Sequence, residues 1–207
     1  YFVIFILLVV HRDEIQNFNL DGFSILLLVM FNSATLVNSL PRYIAIVTIS
    51  LSIFFLWIRK IDKEVGKVRV KQVFQFLAGL VLGFLLISIK YSLINHDIIL
   101  TAIAEPTKLV ICAKIALSKA LVMEEFIYRG FLYGLLEKSG IRYSKIFIIS
   151  SILWSFSHIG ISTNFLFFVD VFISGLFFGF LVYKTKSISI AIGTHVGYNS
   201  LILFGEL

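Results

Sequence analysis

Two adjacent carboxylates are the first residues in this chain that could do chemistry. Glu124 and Glu125 are followed, four positions after the second, by Arg129. On a helix Glu125 and Arg129 share a face and can pair in cis. Glu124 is turned about 100° from Glu125 and is left to face another helix. His158 and His195 stand in later apolar stretches, and His195 precedes Asn199 by four, so an imidazole and an amide share one helix face. Such a set supports two chemistries. Glu124 can act as a general base on water, with Asn199 and a histidine steadying an oxyanion. Glu124, His158 and His195 can instead form a His2Glu zinc site with an open position. The residue types leave both open, with the metal-free route as the leading reading. Asp170 is a further acid, expected either to pair with a histidine or Arg129 or to join the site.

The elements that carry these residues must lie in a membrane. Of 207 residues 59% are hydrophobic and only 14% are charged, against roughly 25% charged in an ordinary soluble domain. The mean hydropathy is +0.99. Twenty-two phenylalanines exclude a disordered chain. The apolar stretches are continuous runs, which favours an all-α polytopic bundle over a barrel. Seven complete spans are expected, near Phe23–Leu40, Tyr43–Ile58, Val73–Ile89, Leu109–Leu136, Ser144–His158, Phe165–Tyr183 and Ile188–Phe204. The first run, Tyr1–Val10, would rise only about 15 Å; it reads as the end of a truncated first span that precedes these seven, not as a signal peptide. Residues 1–207 read as one integral membrane domain, with the chemistry in a core of about 109–204.

The net charge of +6 is an orientation signal, not a nucleic-acid site. Arg59, Lys60, Lys63, Lys67, Arg69 and Lys71 crowd one loop, and alternating spans put Arg12, Lys138, Arg142, Lys145, Lys184 and Lys186 on the same side. That side is expected to be cytoplasmic, with the C-terminus outside. Counting about 1.5 Å per residue from the nearest cytoplasmic lysine puts Glu124, His158, Asp170 and His195 roughly 14–21 Å deep. Ionisable groups at that depth are costly and must face one another. The single cysteine excludes an internal disulfide and a multi-cysteine metal site. Gly175 with Gly179, and Gly193 with Gly197, form GxxxG patterns expected to pack helices.

At this point the motifs resemble a known family. Glu124-Glu125-Phe126-Ile127-Tyr128-Arg129 is similar to the EExxxR motif of the CAAX-protease and bacteriocin-processing (CPBP, or Abi) intramembrane proteases. Trp154 to His158 resembles their FxxxH motif, with Trp where Phe is usual, and His195 to Asn199 resembles HxxxN. Order and spacing agree over about residues 109–204. The resemblance implies a helical bundle of about eight spans and a peptide hydrolase in which Glu124 activates water. It implies that His158, His195 and Asn199 line the site, with Glu125 and Arg129 supporting it. The partners expected are a membrane peptide or protein substrate and the lipid bilayer, and no nucleic acid. No cofactor is required on the leading mechanism; one zinc ion is the alternative. The Ile-, Phe-, Lys- and Asn-rich usage suggests a bacterial membrane and an unprenylated substrate.

Two rival readings belong to other classes. One is a non-catalytic scaffold or bacteriocin-immunity protein of the same fold. The other is a proton-coupled transporter, since buried Glu, Asp and His also suit proton relays. A scaffold has no need of Glu124, both histidines and Asn199 together. A transporter should show Pro-broken helix pairs or inverted repeats, and the sequence shows neither.

Overall fold

A computed structural model describes residues 21–24, 26–27, 69–92, 97–158, 162 and 164–206. The expected spans at Phe23–Leu40 and Tyr43–Ile58, the Tyr1–Val10 run and most of the basic loop from Arg59 lie outside them, apart from the first residues of Phe23–Leu40. The described residues form helices α1 (Val70–Ser92), α2 (Asp97–Ala104) and α3 (Pro106–Ser118), then a π-helical segment (Lys119–Phe131). Helices α4 (Leu132–Lys138), α5 (Tyr143–Phe156), α6 (Phe165–Thr185) and α7 (Ile188–Glu206) follow. No strand occurs among the described residues, and the all-α expectation holds. Three helices are long and apolar enough to cross a membrane, in α1, α6 and α7, and α5 is a shorter apolar helix.

The bundle closes where side chains are absent. Helix α1 turns Phe74, Leu77, Val81, Leu85 and Ile89 outward. This stripe, repeating every three or four residues, suits contact with lipid. Its other face carries Gly79 and Gly83, which meet Gly193 and Gly197 of α7. A methyl at Gly79 would run into the Ile190 carbonyl, at Gly83 into that of Thr194, and at Gly193 and Gly197 into those of Phe76 and Leu80. Small residues let the two backbones touch, which is how helices associate where apolar burial gives no advantage over lipid. The expected packing role of Gly193 and Gly197 is seen, and the matching pair on α1 is the partner the sequence reading left unnamed.

The α5–α6 contact is built similarly. Gly175 lies under the Trp154 ring, where an added Cβ would sit 2.9 Å from Cε3, and Gly179 lies against the Tyr133 hydroxyl. Asn164 caps α6 by accepting the Leu166 N–H (2.9 Å). Lys186 ends α6 in the left-handed conformation (φ 53°). At the same end, Asp21 accepts hydroxyls from Ser187 (2.7 Å) and Ser189 (2.9 Å) and the Ser24 N–H (2.8 Å). This buried carboxylate ties the start of the described chain to the α6–α7 turn.

Two expectations need correction. The span predicted at Leu109–Leu136 is one uninterrupted helical rod from Pro106 to Lys138, but its middle is π-helical and not α-helical. Hydrogen bonds from i to i+5 widen this stretch, a geometry that occurs often at functional sites and barely alters the apolar pattern. Helix α2 was not expected at all. It has eight residues, too few to register as a span.

Candidate active site

The π-helical segment delivers the two carboxylates to different places. Glu125 and Arg129 are fully buried and remain paired, Nη1 to Oε1 at 3.2 Å. Arg129 also donates through Nη2 to the Gly175 carbonyl (3.2 Å), which has no side chain above it to block the approach. Its guanidinium lies over the Trp154 ring at 4.5 Å and near Phe178 at 5.7 Å. Arg129 therefore joins the π segment, α5 and α6 at one buried point.

Glu124 faces the other way, into a cavity of about 220 Å³ that His158, His195, Asn199, Trp154 and Asp170 also line. Its Oε2 lies 3.6 Å from His195 Nε2 and 4.0 Å from His158 Nε2. The same oxygen accepts the Trp154 indole N–H at 2.6 Å. Three of the four sequence-predicted cavity groups thus meet around one carboxylate oxygen. Asn199 borders the cavity one helical turn from His195. Glu125 does not border it and reaches the site through His195.

The far sides of both imidazoles are occupied. His158 Nδ1 lies 2.8 Å from the Trp154 carbonyl. A carbonyl only accepts, so this nitrogen carries the hydrogen. His195 Nδ1 lies 2.8 Å from Glu125 Oε1. That oxygen is already paired with Arg129, so this nitrogen too is the donor. In the neutral rings both Nε2 atoms then present lone pairs toward Glu124. Two lone pairs and a carboxylate converge, and what suits the space between them is a species bringing protons or positive charge.

Of the two expectations for Asp170, pairing with a histidine or Arg129 is not what the structure shows. Asp170 bonds Lys90 of α1 at 2.9 Å, and Lys90 also donates to the Tyr198 hydroxyl at 2.9 Å. Asp170 and Tyr198 both line the cavity, so this ion pair stands at its wall and Asp170 borders the site, the second of the two expectations. Sequence reasoning also missed the partner of Trp154, although an indole where the resembled motif has Phe was the available signal.

Fold and site together define a membrane-embedded helical protein with a buried carboxylate–imidazole centre. Residues 106–201 match the family described as Rce1-like, type II CAAX prenyl endopeptidase Rce1-like. The resemblance to CAAX-type proteases holds for this motif-bearing stretch, from the start of α3 into α7. With the apolar helices, it marks the chain as a multi-pass membrane protein. No curated protein and no solved structure matches the chain.

Proposed function

We propose that the protein is an intramembrane endopeptidase in which Glu124 activates water against a peptide bond of a membrane-associated substrate. The observation that carries this reading is the convergence of Glu124, His158 and His195 on one small cavity, each imidazole fixed from behind. A water among these acceptors donates its hydrogens to them. Glu124 takes one proton as the oxygen attacks the scissile carbonyl carbon. The Asn199 amide, within the same cavity, donates to the oxyanion. The C–N bond then breaks and the proton held by Glu124 passes to the leaving amine. Glu125 and Arg129 act behind His195, holding its ring and tautomer, and need not touch substrate.

Glu124, His158 and His195 are the residues that would hold a zinc ion, which would supply a polarised water there. The steps above use only the chain's own groups. If they are complete, purified protein keeps its activity through extensive chelation. Loss on chelation with recovery on zinc would return the His2Glu reading.

A hydrocarbon tail has a place in this scheme. The face of α6 opposite the cavity, with Phe165, Phe168 and Phe172, forms with Ile152 and Phe156 of α5 an apolar groove of about 600 Å³. The family description names prenyl substrates, and we assign the groove to a substrate's lipid chain. A prenylated peptide should then be cleaved with a lower KM than its unprenylated counterpart; equal KM values would remove the groove from recognition.

The deciding experiment compares peptides released in membranes holding the wild type or Glu124→Gln at equal levels. Glu124→Gln keeps shape and loses the base. Peptides absent from the mutant establish the protease and identify its substrate. Identical profiles would leave a scaffold or immunity protein.

A further inference from the structure

The chain departs from the motif it resembles at Trp154, and the structure gives that departure a partner. The indole Nε1 donates to Glu124 Oε2 at 2.6 Å, a hydrogen bond to a carboxylate buried with it. Trp154 is itself tightly held. Its ring is 3% exposed, lies over Gly175 and carries the Arg129 guanidinium on its face. It meets His158 and His195 edge-on at 5.2 and 5.5 Å. Its own carbonyl accepts from His158 Nδ1. One residue thus contacts Glu124, Arg129, His158 and His195.

The bond also supplies what the site otherwise lacks. Glu124 Oε2 faces two imidazole nitrogens at 3.6 and 4.0 Å, beyond hydrogen-bond distance. Among the described residues the indole N–H is the one donor bonded to its carboxylate. A phenylalanine there could fill the space but could not hold the carboxylate.

We propose that Trp154 is a positioning residue for Glu124: its N–H holds Oε2 in place beside the two imidazoles and so sets the orientation of the carboxylate toward the water it activates. This rests on the endopeptidase reading of the same site. It differs from it in assigning a role to a side chain that the resembled motif does not contain.

The chain's two tryptophans, Trp57 and Trp154, make the bond visible. In indole-labelled protein two N–H resonances are expected, and Trp154→Phe assigns one of them. Glu124→Gln should move the Trp154 resonance upfield, while Glu125→Gln should leave it nearly in place. For activity, benzothienylalanine placed at 154 keeps the bicyclic shape and lacks the N–H. We expect kcat to fall about tenfold to a hundredfold, with KM within about twofold. A packing role alone would leave this isostere fully active and would penalise only Trp154→Phe or smaller. An indole resonance blind to Glu124→Gln, or full kcat in the isostere, overturns the proposal. An inactive wild type whose indole still responds would overturn the endopeptidase reading and leave the positioning of Glu124 standing.

Discussion

Arg129 is the residue on which the site's geometry most depends, although it does not line the cavity. It neutralises Glu125, which orients His195, and it holds α6 through the Gly175 carbonyl. Arg129→Met would leave a buried carboxylate without its cation, a change that costs about 3–5 kcal/mol. We expect a large fall in the melting temperature in detergent, and a melting temperature within a degree of wild type would refute the role. Arg129→Lys restores the charge but not the two-directional fork, so it should rescue only part. The pairing of Glu125 with Arg129 was legible because both residues lie on one helix at a spacing that brings them together. The pairing of Asp170 with Lys90 was not, because the two are 80 positions apart and only the tertiary fold makes them neighbours. The same holds for Trp154 and Glu124, 30 apart, where the sequence showed the need for a partner but not its identity.

Helices meet here through glycine at two crossings, and each makes a separate prediction. Gly197→Ala would drive a methyl into the Leu80 carbonyl, and neither backbone can yield without parting α1 from α7. Overpacking of this kind costs about 1–3 kcal/mol, to be read as a loss of thermal stability. A control lies at a different kind of glycine. Gly140 has open space around it but a φ of +75°, so Gly140→Ala carries only backbone strain, about 1–2 kcal/mol, and leaves helix packing intact. Cross-linking between α1 and α7 should weaken in Gly197→Ala and stay unchanged in Gly140→Ala. Apolar runs and small-residue spacings made most of these elements legible, with ends displaced by up to three residues. The π-helical middle of the 106–138 rod was not, since a shift from four- to five-residue bonding hardly disturbs a pattern that is apolar nearly all round. Helix α2 was lost to its shortness.

Across the whole molecule, the basic residues give the chain a direction to be tested. With Cys112→Ala as background, a cysteine at Ser139 should react with a membrane-impermeant thiol reagent only after cells are opened, and one at Gly205 before. The reverse pattern would invert the orientation we propose. The three long helices are also unequal. The apolar windows of α1 and α6 are 17% and 28% buried within the bundle, whereas that of α7 is 67% buried and is the least apolar of the three. It carries His195 and Asn199, the polar groups lipid would least welcome. Yet α7 is the last of these helices to leave the ribosome. By then the glycine groove of α1 and the Arg129-centred cluster can already stand in the bilayer. The poorest candidate for independent insertion thus arrives where a receptacle has been made for it. The order of synthesis then becomes part of how this helix enters the membrane, and a gene rearranged to make α7 first should yield protein that is degraded.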